Sequence, residues 1–585
     1  MCCVAGCAPA CAGSINAASA QSNTSNFCFA CIALLLSGRG ALPQGVSVIR
    51  RLAALLSLGL LAAAAPAQPP RPKLIVVLSI DQFSADLFAE YRQHFTGGFR
   101  RLSEGVVFPS GYQSHAATET CPGHSTILTG SRPYRTGIVA NDWLDQNAAR
   151  EDKIIYCAED ETLPGSSSRN YTVSAKHLLV PTLGERMKAA DPATRVVSVS
   201  TKDRAAVMMG GHKVDQLWWW NGNDYVTMAG QPPADPAVAP FRASLAAQLA
   251  KPREAMPVPA MCQSRDRAIP IGGGKSVGTG HFAREAGDAT RFRASPEADA
   301  ANLALAWGLI DSMQLGRAQA TDIIAIGESA TDYVGHTYGP QGVEMCIQLL
   351  ALDRELGALF DKLDRSGVDY VVALTADHGG LDLPERSRIQ AAPDAQRLDG
   401  RLDVKAVGEQ IGREVKVKGP VLLGQGADVF VERTVPKKRR AKVLQRAVAL
   451  LRQSPQVEDV LVGADIAAMP QPTRPPEIWS LAERARASYL PGRSGDLIIV
   501  TKERVNPVTD PTRGYVTTHG SFWDYDRRVP MLFWWKGVQG FEQPLGVETV
   551  DILPTLASLI GLAVPPAEID GKCLDLLAGE ESNCR

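Results

Sequence analysis

No sign of charge prevails in this 585-residue chain, whose 61 Lys and Arg stand against 62 Asp and Glu. That balance excludes a nucleic-acid scaffold, which needs a broad basic face. The apolar run Leu52 to Ala65 is too short for a comfortable membrane span, so no stable span is expected. A phosphate loop is missing as well. Gly272-Gly273-Gly274-Lys275-Ser276 would need a glycine at position 269, where the chain has Ile269. What remains is ordinary: 45% hydrophobic and 21% charged residues suit a globular protein. Length allows one large α/β domain with insertions or several domains. Function has to come from local sites.

The first 45 residues hold Cys2, Cys3, Cys7, Cys11, Cys28 and Cys31 in an Ala/Ser/Asn background without metal-site spacing. Arg50-Arg51, the apolar run behind it and Ala65-Pro66-Ala67 then form a basic region, an apolar core and a small-residue cleavage site. Residues 46–67 are therefore expected to be a secretory signal peptide, and the product periplasmic or secreted. A signal so far from Met1 places the expected start near Val46 or Val48, with residues 1–45 a mis-read extension; the alternative is a real, Cys-rich leader. Six cysteines follow: Cys121, Cys157, Cys262, Cys346, Cys573 and Cys584. Fifteen pairings are open to them, with Cys573–Cys584 the safest. Cys121 reads either as a bridge or as a free buried thiol.

From residue 68 the chain alternates apolar runs with loops rich in chemistry. Leu74 to Ile80, Arg195 to Ser200, Asp322 to Gly327 and Tyr370 to Thr375 are buried-strand patterns, and Asp496 to Thr501 is expected to resume the same sheet. Helical spacing marks Ala85 to Phe95, Ala300 to Met313, Lys437 to Gln453 and Val550 to Gly561. Trp218, Trp219 and Trp220 belong to an aromatic strand or loop, read as core with a substrate-facing surface as the alternative. Residues 385–492, more charged and richer in Pro and Arg, break the rhythm and read as an inserted cap. The expected fold class is α/β, a central and mostly parallel sheet flanked by helices.

The chain is organised around Thr118-Glu119-Thr120-Cys121-Pro122-Gly123-His124, a loop that turns into a short helix. Pro122 suits its first position and Gly130 its exit. A hydroxyl just before a helix faces unpaired N–H groups that favour an anion, so Thr120 is a candidate nucleophile as well as a candidate cap. Asp81 directly follows the first strand, either as a ligand or as the cap of the next helix. Asp332 and His336, four apart, lie on one helical face. Asp377-His378 follows another strand, and His519 a shorter one. Asn141 could offer amide donors or simply make a turn. Lys202 and Arg204 point to one side if the chain stays extended, or are solvated.

Three carboxylates and three imidazoles can hold two Zn²⁺ ions, with Thr120 completing one set of ligands. Two such ions form a clamp for phosphoryl displacement. On Ser79-Ile80-Asp81, Thr120-Cys121-Pro122-Gly123-His124, Ala140-Asn141-Asp142, Asp332-x-x-x-His336, Ala376-Asp377-His378-Gly379 and Thr518-His519-Gly520, the chain resembles the alkaline phosphatase superfamily. Within it the likeness is to the bacterial branch with a threonine nucleophile, from about residue 72 to 575.

The resemblance implies an alkaline-phosphatase-like sheet with a cap built from insertions. It also implies one zinc on Asp332, His336 and His519, and another on Asp81, Asp377, His378 and Thr120. Sulfatases carry C-x-P-x-R, which Thr120 and His124 do not match. Nucleotide pyrophosphatase/phosphodiesterases share T-x-P-x-H and the asparagine, and remain the alternative. Monoesterases of the threonine branch add a Lys-x-Arg pair, which Lys202 and Arg204 match. The implied reaction passes through a phosphothreonine on Thr120, with Asn141, Lys202 and Arg204 holding the non-bridging oxygens of a small phosphate ester. A zinc- or phosphate-binding protein without chemistry would lack the nucleophile or a ligand, and none is missing. The expected state is a monomer.

Overall fold

Runs of aliphatic and β-branched residues build the middle of a ten-stranded sheet. In the computed structural model residues 71–579 and 581–584 are described, with Arg401 described by its backbone alone. The expectations for residues 1–67 lie outside them. The principal strands are β1 Leu74–Ile80, β2 Val106–Tyr112, β3 Val196–Ser200, β4 Gln216–Trp220, β5 Asp322–Glu328, β6 Tyr370–Thr375 and β7 Arg528–Trp535. Their order is β2-β7-β6-β1-β5-β3-β4, with two-residue strands at the edges. The five from β6 to β4 run parallel, and β7 is antiparallel to both neighbours.

Every residue of β1 is buried because the two faces of the sheet serve separate cores. Leu74, Val76, Leu78 and Ile80 enter one cluster, Ile75 and Val77 the other. That is the period of two expected of a strand covered on both sides. Trp218 and Trp220 pack on the first face and Trp219 on the second, so the aromatic run is core. The expected helices are present at Ala85–Tyr91, Pro296–Ser312, Lys437–Leu451 and Ile552–Leu559, with a 3-10 turn at Arg92–His94 ending the first. The Gly272 region is the turn of a hairpin between Ile269–Gly272 and Lys275–Val277.

One strand joins a different sheet from the one expected. Leu497–Thr501 does not resume the central sheet but pairs with Asp428–Val431 and Val457–Val462. With Leu422–Gln425 these make a second, four-stranded sheet. A buried apolar run records burial, not its partner, so pattern alone cannot choose between two sheets. Helices Val404–Val415 and Lys437–Leu451 pack on this sheet around a core of their own. The second helix buries Val443, Ala447 and Leu451, one per turn, and exposes Lys437, Lys438 and Lys442.

Disulfides join Cys121–Cys157, Cys262–Cys346 and Cys573–Cys584. The last is the expected pair, and Cys121 is a bridge rather than a free thiol. Among the described residues no helix is long and apolar enough to cross a membrane.

Candidate active site

Parallel strands leave their C-terminal ends on one edge, where open α/β sheets bind ligands. Asp81 follows β1 directly, Lys202 lies two residues past β3, and Asp377-His378 lies just past β6. Helix Ala330–Tyr338 starts two residues after β5 and carries Asp332 and His336. Their spacing does put them on one face: His336 Nε2 is 3.2 Å from Asp332 Oδ1. His519 comes from a long loop rather than from a strand end, the preceding strand being Val505–Asn506.

Thr120 is the first residue of helix Thr120–Ile127, with Glu119 in the capping position. Pro122 is thus third rather than first. Both placements are tolerated because the N–H groups of a first turn have no partners within the helix. Gly123 is required here, since a Cβ on it would collide with the Asp377 carbonyl. Helix Thr120–Ile127 can therefore press directly on the Asp377 loop.

Thr120 Oγ1 accepts hydrogen bonds from Lys202 Nζ and Arg204 Nη2, each at 3.4 Å. Lys202 is buried and Arg204 half-buried, which removes the solvated alternative for the pair. Asn141 is held by its own neighbours. Its Oδ1 accepts from the Cys121 N–H at 2.8 Å, and its N–H donates to Glu119 Oε2 at 2.6 Å. The Cys121–Cys157 bridge and a 2.9 Å bond from Cys157 N–H to the Asn141 carbonyl tie down the same loop. With Oδ1 engaged, the Nδ2 amino group is what Asn141 has left to offer.

The three imidazoles are oriented alike. Nδ1 of His336, His378 and His519 lies 2.9, 2.8 and 2.8 Å from the carbonyls of Thr517, Gly379 and Thr118. A carbonyl can only accept, so Nδ1 carries the proton and Nε2 presents its lone pair. Those lone pairs face carboxylate oxygens: His378 Nε2 is 3.2 Å from Asp377 Oδ2 and 3.4 Å from Asp81 Oδ1. All three of these atoms are buried without a hydrogen bond. Acceptors converging on acceptors is unfavourable unless a cation lies between them, and imidazoles fixed through Nδ1 are a frequent feature of metal sites. The donor set fits metal ions.

Asp332, His336 and His519 form one group of potential ligand atoms within 4.8 Å of one another. The second group is Asp81, Asp332 and His378, with Asp377 Oδ2 alongside at 3.2 Å from His378 Nε2. Cationic groups lie close to these acids. Lys202 Nζ lies 2.6 Å from both Asp81 Oδ2 and Asp332 Oδ2 and draws those acids together. His124 Nδ1 approaches Asp377 Oδ2 at 3.1 Å from the other side.

Burial, and then the charge of Asp377, pushes the Asp81 carboxyl well above its ordinary range. Burial acts the same way on Asp332, but His336 and Lys202 outweigh it and hold that carboxyl well below. Burial would lower Lys202, yet Asp332 and Asp81 raise it. The pocket thus demands positive charge, and Lys202 supplies part of it.

Two residues were given no role from the sequence. Gln82, buried with φ 65°, donates its N–H to Asp377 Oδ1 at 3.1 Å and Nε2 to Asp332 Oδ1 at 2.8 Å. No pattern in the sequence marks it. His124, whose Nδ1 is also 2.9 Å from the Thr120 carbonyl, stood in the sequence reading only as the last position of T-x-P-x-H.

The family model described as type I phosphodiesterase / nucleotide pyrophosphatase matches residues 75–522. The chain belongs to that family. It is 58% identical to alkaline phosphatase PhoK of a Sphingomonas species, over 88% of this chain and 92% of the relative. Alkaline phosphatase PhoD of Zymomonas mobilis is 45% identical, over 88% of this chain and 89% of the relative. Among solved structures, wild-type alkaline phosphatase PafA superposes with a TM-score of 0.74 at 25% identity, covering 86% of this chain and 98% of that one.

Proposed function

We propose that this family member is an exported, metal-dependent alkaline phosphatase that hydrolyses phosphate monoesters through a phosphothreonine on Thr120. The observation that carries the reading is the approach of both Lys202 and Arg204 to Thr120 Oγ1. A monoester dianion brings one more unsubstituted, negative oxygen than a diester, and two fixed cations beside the nucleophile match it. The curated relatives spanning most of the chain are named alkaline phosphatases, which supports the same side of the family. The phosphodiesterase alternative shares Thr120 and Asn141 but has no use for the second cation.

Asp332, His336 and His519 would hold one Zn²⁺, and Asp81, Asp377, His378 and Thr120 a second. Bound there, the ions would supply Lewis-acid polarisation and neutralise phosphate charge. The chain's own residues do the rest. Lys202 and Arg204 favour the deprotonated Thr120 Oγ1, which attacks phosphorus as the ester oxygen departs. Asn141 Nδ2, Lys202 and Arg204 hold the non-bridging oxygens, and water then cleaves the phosphothreonine to free phosphate and the hydroxyl. Residues 68–585 serve as the catalytic domain, the segment 385–492 as an inserted cap, and 46–67 as the export signal.

The test compares a phosphate monoester, a phosphate diester and a sulfate ester on purified enzyme, before and after chelation. The monoester should be fastest and its hydrolysis should stop on chelation. A preferred diester would assign the chain to the phosphodiesterases.

A further inference from the structure

Beside Asn141 lies a cavity of about 200 Å³ built by two distant parts of the chain. Glu119, Asn141 and Asp142 line it from the Thr120 side, and Asp428, Ser488 and Tyr489 line it from the second sheet and its flanking helix. Its volume is that of roughly six or seven waters, enough for a small alcohol. Asn141, the residue assigned above to a phosphate oxygen, forms part of its wall. An ester held by Asn141 therefore has this space next to it.

The sign of the wall is uniform. Three carboxylates line the cavity, and no lysine, arginine or histidine does. Glu119 Oε2 and Asp428 Oδ1 each accept one backbone N–H, from Asn141 and Gly495, both at 2.6 Å. Neither acid has a side-chain partner of opposite charge at ion-pair distance among the described residues. Burial, and opposed to it the Gly495 N–H, sets the Asp428 carboxyl at about 7, with the charge of Glu119 adding to the rise. Both acids line the same space.

We propose that this cavity is the leaving-group subsite, and that its acidic wall selects phosphate monoesters of amino alcohols over esters whose alcohol carries a carboxylate or a second phosphate. The inference rests on the monoesterase reading. An ammonium on the alcohol would stand opposite Asp428 and Glu119. An anionic alcohol would meet them with no cation in the cavity wall itself, and like charges brought together in a desolvated site are strongly disfavoured. The subdomain residue Asp428 then sets specificity without touching the reacting phosphorus.

Three esters of two-carbon alcohols test this: 2-aminoethyl phosphate, ethyl phosphate and carboxymethyl phosphate. They are compared by kcat/KM at pH about 8, where carboxylates are ionised and an amine is still protonated. The intrinsic difference between leaving groups cancels when the aminoethyl-to-carboxymethyl ratio is compared between enzyme variants. The unmodified enzyme should favour the aminoethyl ester, and Asp428→Asn should reduce the ratio about tenfold. Asp428→Lys should reduce it further. In the unmodified enzyme the ratio should also shrink as salt rises, a measurement that does not depend on any variant folding. A ratio insensitive to both substitution and salt overturns the subsite while leaving the monoesterase intact. Hydrolysis of diesters but of none of the three esters would overturn the monoesterase and the subsite together.

Discussion

Gln82 Nε2 donates to Asp332 Oδ1 over 2.8 Å from a backbone held in the left-handed region. Its N–H reaches Asp377 Oδ1 as well, so one residue links acids assigned to two different metal ions. Left-handed backbone costs a residue with a Cβ about 1–2 kcal/mol, a cost the two bonds offset. Gln82→Ala keeps the strain and loses the amide, whereas Gln82→Gly loses both. Each should bind metal about 10–100-fold more weakly, as measured by chelator competition. The glycine variant should be more stable than the alanine variant by about 1 kcal/mol. Unchanged metal affinity in both would reduce Gln82 to a core side chain.

Chemistry placed directly after an unbroken apolar run was legible in the sequence: Asp81 after β1, and Asp377-His378 after β6, stand where expected. β2 and β7 were not read, and each has a proline inside it, Pro109 and Pro530. Pro530 falls at a register shift against β2, which is how a proline without an N–H enters a sheet. The position of Leu497–Thr501 depends on pairing, and the conformation of Gln82 on tertiary contacts. Neither leaves a trace in composition or spacing. Asp428 could not be connected to Glu119 from sequence because 309 positions separate them.

Thr120→Ala should abolish covalent phosphorylation and lower turnover by several orders of magnitude, since the side chain proposed to take up phosphorus is gone. Thr120→Ser keeps the hydroxyl and should retain part of the activity. Acid-quenched enzyme, digested and mapped by mass, would locate the phosphate. A phosphorylated alanine variant would place the nucleophile elsewhere.

His115 is 1% exposed, and burial, followed by the charges of Arg527 and Arg132, lowers its imidazole to about 3 from an ordinary 6.5. Between those values the unfolded chain takes up a proton that the folded chain refuses. The stability involved is therefore complete above about 6.5 and is lost progressively as pH falls toward about 3. Relative to His115→Gln, the unmodified protein should lose about 2 kcal/mol between pH 7 and pH 5. The comparison cancels slopes that both proteins share, including any from metal release. Denaturant titrations at the two pH values decide it, and parallel behaviour would mean that His115 titrates normally in the folded state.

Lys202 and Arg204 carry the assignment of substrate class, so their loss should be selective. Both reach Thr120 Oγ1, but only Lys202 also joins Asp81 and Asp332. Arg204→Ala should act mainly on the transferring group and cost on the order of 10²–10³ in kcat/KM for a monoester. A diester, with one negative oxygen fewer to satisfy, should lose far less. Lys202→Ala should show the same selectivity and, in addition, altered metal retention, because it leaves two buried carboxylates without their ammonium. Measuring both esters in the two single variants and the double variant separates the roles. Equal losses on monoester and diester would make the pair structural, and a diester preference in the unmodified enzyme would transfer the chain to the phosphodiesterase side of its family.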